Sequence, residues 1–582
     1  MKILLAAINA KYIHSNLAVY SLKAAAREWK GCVETAEYTI NQTKDEILED
    51  LFLRKPDVLC FSCYIWNLEY VENTAREFHK IQPEVPIWAG GPEVSFETEA
   101  FLKEHPYIDG IMIGEGEETF RELCAYYAGS DGGIRRLERI DGLAFRKDGQ
   151  IVCTREREIA DLSTIPFCYD EADRFANKII YYESSRGCPF RCSYCLSSID
   201  KKLRLRDTTL VRKELSFFLE SGAAQVKFVD RTFNCDHRHA MEIWSFIKEH
   251  DNGITNFHFE IAADLLNEEE LELLSSLRPG LIQLEIGVQS TNPETICAIR
   301  RTMNLERLEE NVSRVRSFGN IHQHLDLIAG LPFEDFVTFR HSFDEIYALW
   351  CEQLQLGFLK ILKGSYMYQN AGEYGIIYRE NPPYEVLCTK WLSFGEVIML
   401  KRVEEMLEVY YNSGQFEVTM KVLYAIADSA FDLFLALGKF YERKELLQKQ
   451  HSRISRCEIL LEFLDSPEFD SLDKRQGGKR PEKQELQKIV KETLIFDLYA
   501  RENCKTRPSW APDQTVFREM TRKYCGKGKL SHLEPFHYDF PGREQKGLTV
   551  LPDRRQTPVW ILFDYECRDA FSNQARVSFF LQ

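Results

Sequence analysis

Through its first 128 residues the chain alternates short apolar runs with amphipathic stretches of helix length. The runs KILLAAIN, CVETAEYTI, DVLCFSC, VPIWAG and DGIMIG read as strands, and Leu17 to Trp29 and Glu69 to Ile81 read as helices between them. Such an alternation predicts a doubly wound parallel sheet over residues 1–130. After a connecting segment, 131–176, a second alternation runs from 177 to 370, with strands IIYYESS, QVKFVD, FHFEIAA, LIQLEIGV, HLDLIAGL and LQLGFLKIL. Six successive β/α units predict a curved parallel sheet, a partial (β/α)6 barrel with its chemistry at the C-terminal mouth. Residues 371–582 form a mostly helical accessory region with terminal strands such as PVWILFDY. Within it, 414–444 reads as long helix and 465–483 as a polar loop.

Ligands of a doubly wound sheet bind outside the carboxyl ends of its strands. Those ends carry NAKYIHSN (9–16), SCYIWN (62–67), GGPEVS (90–95) and GEGEE (114–118). Their glycines permit close backbone approach, as a large flat or phosphate-bearing ligand requires, although any one of them could be an ordinary tight turn.

Composition narrows the class. At 582 residues the chain is long enough for several cores, and its 44% hydrophobic and 28% charged residues are those of a soluble globular protein. No apolar run has the roughly 18–20 residues of a membrane helix, and MKILLAAINAKY reads as a first buried strand rather than a signal peptide. Seventeen cysteines without an export signal suit a reducing cytoplasm. A formal charge of −16 argues against a nonspecific nucleic-acid binder, and the basic stretch TRKYCGKGKL (521–530) reads as a solvated loop.

The strongest chemical signal is ESSRGCPFRCSYCLSS (183–198), where Cys188, Cys192 and Cys195 follow a strand of the second alternation directly. Three thiolates at these spacings can ligate three irons of a cubane cluster and leave the fourth iron open. A structural zinc wants four protein ligands, usually in two pairs, and the next cysteine, Cys235, comes only after the following strand. Three unrelated thiols are the remaining reading.

On this motif, at the first loop of a β/α barrel and with Tyr194 in the aromatic place before the third cysteine, the chain resembles the radical S-adenosylmethionine (SAM) superfamily. The resemblance implies a [4Fe-4S] cluster on Cys188, Cys192 and Cys195 whose open iron is chelated by SAM, and reductive cleavage of SAM to a 5'-deoxyadenosyl radical. It also implies SAM contacts from polar groups at later strand ends: Tyr194, Asp230, Asn234, Glu260, Glu285, Gln289 and Ser290. Glu260 and Glu285 could equally be structural ion-pair partners. Related proteins often have an arginine shortly after the third-strand acid; here Ala262 and Ala263 follow it, which leaves that contact unassigned.

A doubly wound domain before such a barrel resembles the cobalamin-binding class of the superfamily, and the C-terminal part resembles a subgroup with its own extension. The class implies a Rossmann-like cobalamin domain, with the nucleotide tail between strand ends and the corrin facing the barrel mouth. Contacts would come from Ser62, Tyr64, Trp66, Gly90, Gly91, Pro92, Glu93, Ser95, Gly114, Glu115 and Gly116. The D-x-H-x-x-G pattern that supplies an axial histidine elsewhere is absent, and His14 reads as a polar loop residue, so the lower cobalt face is expected to lack histidine.

The activity implied is that of a cobalamin-dependent radical SAM methyltransferase acting on a poorly activated carbon through methylcobalamin. It would need an electron donor of the flavodoxin or ferredoxin type and a substrate that no motif names. A radical SAM oxidoreductase or cyclase using cobalamin without methyl transfer is the near alternative. A transfer-RNA methylthiotransferase needs three further cysteines at the N-terminal strand ends, and the first strand ends without one; a non-catalytic cluster or cobalamin sensor is the last rival.

Overall fold

The computed structural model describes residues 1–129, 136–169, 175, 178–472, 481–525, 530–539, 551–569 and 572–581. Residues divide into two compact units. The first comprises Met1–Glu285, Ile296–Asn311 and Leu359–Thr389, and the second Ile286–Thr295, Val312–Phe358 and Lys390–Gln582.

The first unit opens with strands β1 (Ile3–Asn9), β2 (Val33–Thr39), β3 (Val58–Ser62), β4 (Ile87–Gly90) and β5 (Gly110–Met112), all parallel. β6 (Leu143–Lys147) and β7 (Gln150–Cys153) add antiparallel at one edge, giving the order β2-β1-β3-β4-β5-β6-β7. All seven residues of β1 and all five of β3 are buried, because helices cover both faces of a doubly wound sheet and leave no strand face for water. Full burial of each such Leu, Ile or Val contributes about 1.5–3 kcal/mol. β6 and β7 lie in the stretch expected only to connect; partly exposed and without clean alternation, they carry little hydrophobic signal of their own.

The barrel strands begin with β8 (Ile179–Tyr182). β9 (Ser185–Arg186) and β10 (Arg204–Leu205) form a short antiparallel ribbon, and β11 (Gln225–Phe228) pairs in parallel with β8 and with β12 (Asn256–Ile261). In β8 and β11 alternate residues are buried, so Tyr182, Val226 and Phe228 face the helical layer while Tyr181 and Lys227 face the other way. β13 (Ile282–Gln289) carries the chain from the first unit into the second, where β14 (His322–Ala329) and β15 (Gln353–Phe358) pair in parallel. The fold class is therefore α/β, a Rossmann-like domain followed by a partial barrel. Residues 359–389 return to the first unit with the ribbon of β16 (Ile377–Tyr378) and β17 (Val386–Cys388).

The remainder of the second unit is helical, closing with an antiparallel sheet of β18 (Ser531–Tyr538), β19 (Arg554–Arg568) and β20 (Ala575–Leu581). The long helix expected over 414–444 is two, Glu417–Ile426 and Ala430–Arg443, because Ser429 turns extended and its hydroxyl caps the second by accepting from Asp432 N. Such a cap contributes about 1 kcal/mol. Of the 465–483 loop, Pro467–Asp470 is a short helix and 473–480 lie outside the described residues, as do 526–529 of the basic stretch. Among the described residues no helix is long and apolar enough to cross a membrane.

Candidate cofactor site

The three cysteines lie on a turn that the chain closes twice. Arg186 pairs with Arg204 in the β9–β10 ribbon, and Cys188 N donates to Asp200 O at 3.0 Å. Gly187 makes this closure possible: its φ is +90°, and a Cβ there would lie 2.4 Å from Lys202 O. Further in, Ser193 N donates to Ile299 O at 2.9 Å and Met367 N to Ser193 O at 2.8 Å. Cys188 and Cys192 are buried, Cys195 is half-buried, and all three are free thiols.

Cys188 feels the charges of both Cys195 and Cys192, and three thiolates grouped on one turn can take three irons of a cubane cluster.

A cation stands beside the turn. Arg301 Nη1 donates to Cys192 Sγ at 3.8 Å and to the Tyr194 hydroxyl at 3.4 Å. Burial alone would lower its pKa, but the Tyr194 and Cys192 groups raise it, so it stays charged beside the turn. Sequence reading missed this residue. More than a hundred positions separate it from the cysteines, and only the barrel topology brings them together. Burial pushes the Tyr194 phenol itself up, so it stays protonated.

The other expected SAM residues divide by what they already hold. Asp230 is fully buried and accepts from Ser184 N at 2.9 Å and Ser184 Oγ at 2.6 Å; burial pushes its carboxyl up to about 6. Asn234 binds the backbone of Ala262 through both side-chain atoms, each at 2.9 Å, so it braces the loop after β12. Glu285 accepts from Lys227 Nζ at 2.8 Å and lies 2.9 Å from His258 Nε2. Burial opposes its charge, yet these partners hold it well below the usual carboxylate range, an ion-pair role. Glu260 acts on the same Lys227 through its charge. In the second unit Gln289 has a left-handed φ of +74° and a buried Oε1 without a partner, while Ser290 Oγ donates to Glu334 Oε1 at 2.5 Å.

The residues expected to meet cobalamin come from three strand ends of the first sheet. After β3, the Ser62 hydroxyl is buried with no partner among the described residues, and Tyr64 and Trp66 stack 4.5 Å apart within 5° of parallel. Trp66 Nε1 is tied to Ile8 O at 3.1 Å, and Asn67 Nδ2 to Ile8 O and Ser62 O. After β4, Gly91 has φ +118°, and a Cβ there would lie 2.4 Å from Cys63 O. Gly90 O accepts from Cys63 N at 2.7 Å, and Pro92 continues the turn half-buried. Glu93 is buried and accepts from Tyr384 at 2.8 Å, with burial pushing it up. Ser95 Oγ donates to Gly91 O at 2.9 Å and accepts from Gly114 N at 3.3 Å. Gly114, φ +73°, has open space where a Cβ would point, and Gly116 leads into helix Glu117–Ala128. An orphaned buried hydroxyl, an unfilled glycine face and a stacked aromatic pair at one sheet edge fit a large flat ligand with polar arms.

Glu115 does something else. It pairs with Arg204 and lies 3.3 Å from Arg186, while Glu117 pairs with Arg186 at 2.8 Å. The GEGEE loop thus clasps the two arginines that close the cysteine turn. His14 is likewise taken: its Nδ1 lies 2.7 Å from the Tyr181 hydroxyl, and burial and then Lys11 and Lys227 lower its pKa.

Family models match three stretches of the chain. The B12 binding domain matches residues 3–124, the radical SAM superfamily residues 182–346, and a family described as a protein of unknown function, DUF4080, residues 372–536. The chain thus combines a stretch that matches a B12-binding domain with one that matches the radical SAM superfamily. Among curated proteins it is 27% identical over 305 residues to the cobalamin-dependent radical SAM methyltransferase TokK of Streptomyces tokunonensis, covering 49% of this chain and 44% of the relative. It is 26% identical over 328 residues to the hopanoid C-3 methylase of Methylococcus capsulatus, covering 53% and 59%. It is 23% identical over 318 residues to the anaerobic magnesium-protoporphyrin IX monomethyl ester cyclase of Rubrivivax gelatinosus, covering 52% and 56%. The chain spans about half the length of these relatives.

Of solved structures, TsrM from Kitasatospora setae with cobalamin and a [4Fe-4S] cluster bound superposes with TM-score 0.54 at 18% identity, covering 66% of this chain and 82% of that one. The cobalamin-dependent SAM radical enzyme OxsB with aqua-cobalamin and SAM bound gives 0.57 at 16%, covering 85% and 79%. At these identities the likeness is one of fold.

Proposed function

We propose that this protein is a cobalamin-dependent radical SAM enzyme that methylates a poorly activated carbon. The observation that carries the reading is the doubly closed turn of Cys188, Cys192 and Cys195, in a chain whose first domain offers a buried Ser62 hydroxyl with no partner among the described residues and an open glycine face at Gly114. When bound, cluster, SAM and cobalamin supply one-electron cleavage of SAM and delivery of a methyl group to a carbon radical.

The chain's own residues position these groups and keep water away. The three thiolates take three irons, and Arg301 sets a positive charge beside them. Asp230 and Asn234 of the first unit, and Gln289 and Ser290 of the second, are the strand-end groups that would contact SAM, and Glu260 and Glu285 hold the charge of Lys227. Ser62, Tyr64, Trp66, Gly90, Gly91, Pro92 and Gly114 face cobalamin. Glu93, Ser95 and Glu115 support them from behind, since their polar atoms are already engaged. On this reading residues 1–130 form the cobalamin domain, 177–370 the barrel and 371–582 the region that selects the substrate, with a flavodoxin- or ferredoxin-type donor in a reducing cytoplasm.

The test is anaerobic reconstitution with iron, sulfide and hydroxocobalamin, removal of free cofactor, then visible spectroscopy and metal analysis. About four irons and about one cobalamin per chain are expected. Iron without cobalamin overturns the methyltransferase reading. Similarity to the magnesium-protoporphyrin cyclase supports a second reading, ring formation without methyl transfer; methyl-labelled SAM separates the two by whether label reaches the product.

A further inference from the structure

The turn that carries the three thiols has an outer face opposite in sign to the chain as a whole. The formal charge is −16, yet residues 189–202 expose Arg191, Lys201 and Lys202. Their one acid, Asp200, is neutralised by Arg204 at 2.6 Å. Arg300 adds a fourth exposed cation from the segment whose Ile299 carbonyl holds Ser193, and its guanidinium lies flat over Tyr366, 3.5 Å from the ring centroid. None of these four cations has a carboxylate partner among the described residues.

The face is also recessed and partly apolar. Pro189, Phe190, Arg191, Arg300 and Thr302 line a cavity of about 390 Å³, and Ile199 on the same turn is 48% exposed. Cys188 and Cys192, the sequence neighbours of Pro189 and Arg191, are only 8% and 9% exposed. A body seated on this face thus meets residues adjacent in the chain to the thiols, and it meets apolar side chains beside cations.

We infer that this face docks a small acidic one-electron carrier protein, which seats on Pro189 and Phe190 and is steered by Arg191, Lys201, Lys202 and Arg300. The inference rests on the cluster reading above. One electron leaves the reduced carrier and enters the oxidised cluster; no bond is made or broken, and the carrier departs oxidised. Transient redox pairs use small interfaces and depend on charge steering for their rate. A local positive patch on a strongly acidic chain supplies that steering, and it turns an acidic partner toward this face.

The test uses the reconstituted full chain and flavodoxin hydroquinone as the acidic carrier, with the bleaching of the oxidised cluster followed by stopped flow. The triple variant Arg191→Glu, Lys201→Glu, Lys202→Glu is compared with the unaltered protein, with iron content and reduction by dithionite as controls. The second-order rate with flavodoxin is expected to fall about tenfold or more in the variant. In the unaltered protein it should fall similarly as salt rises to about 0.5 M, with dithionite reduction and iron content unchanged. Unaltered flavodoxin kinetics in the variant, or equal slowing with dithionite, overturns the inference. So does a patch that binds a labelled oligonucleotide, loses it in the variant and leaves carrier kinetics intact. Failure of the unaltered protein to hold iron is distinct: it sinks the cluster reading before the patch is tested.

Discussion

The cysteine turn and the cobalamin edge are both built from glycine-punctuated strand ends, and they are wired in opposite ways. The turn concentrates its three proposed ligands in eight residues and closes on itself through Arg186 with Arg204 and Cys188 with Asp200. The edge proposed to meet cobalamin gathers its groups from three loops, and several of these already serve a neighbour: Glu93 holds Tyr384, Ser95 joins two of the loops, and Glu115 clasps the cysteine turn. A self-contained site can fail or survive by itself. A distributed one shares its supports, and here it shares one with the turn.

The sharpest way to break this comparison is to remove the turn's ligands. Replacing Cys188, Cys192 and Cys195 together by Ala should take iron from about four per chain to background while cobalamin retention stays within about twofold, read by metal analysis and visible absorbance. Loss of both would mean that the two sites are one cooperative structure.

A matched pair of glycine variants asks the same question from both sides. Gly187→Ala and Gly91→Ala each force a left-handed residue and set a Cβ 2.4 Å from a carbonyl oxygen. Each should cost on the order of 1–3 kcal/mol locally. Gly187→Ala should shed iron first and Gly91→Ala cobalamin first; identical loss patterns would contradict independent wiring.

Much of this was legible in the sequence, and the reasons differ by region. Buried parallel strands announce themselves as apolar runs, so the order of the two alternations could be read from runs such as KILLAAIN and DVLCFSC, and the cysteine motif marked the turn proposed to hold the cluster. Glu115 could not be assigned in that way: a carboxylate between two glycines is compatible with a ligand or with an ion pair, and only the fold brings Arg186 and Arg204 to it. Arg301 is the converse, a charge at the cluster turn that no local motif marks. β6 and β7 were hidden because an edge pair exposes too much of itself to show a pattern.

The clasp is where the two regions join, so a smaller perturbation there should be felt by both. In the Glu115→Gln, Glu117→Gln double variant Arg186 keeps Glu183 at 2.7 Å and Arg204 keeps Asp200 at 2.6 Å. The loss should therefore be partial, about 1–3 kcal/mol, the worth of charge-assisted bonds weakened rather than removed. Iron and cobalamin retention should fall together in competition with a chelator and with free corrinoid. Iron loss alone would confine the clasp to the cysteine turn.

The smallest effect is one of pH, and it separates two carboxylates with different company. Glu117 is opposed by burial but held below its usual range by Arg186, so its stabilisation is present at neutral pH and fades as pH falls through the acid range. Asp230 accepts from neutral hydrogen-bond donors, and burial lifts it to about 6 from the ordinary 3.8 of an aspartate. The native state then binds its proton more tightly than the unfolded chain does. Its contribution is greatest below about pH 4 and declines as pH rises to about 6, by at most about 3 kcal/mol at 1.36 kcal/mol per unit. Urea midpoints between about pH 4 and pH 7 should show Asp230→Asn gaining on the unaltered protein as pH rises, and Glu117→Gln losing ground over the same rise. Parallel slopes for the two variants would mean that Arg186 does not govern Glu117, and the clasp would lose its electrostatic basis.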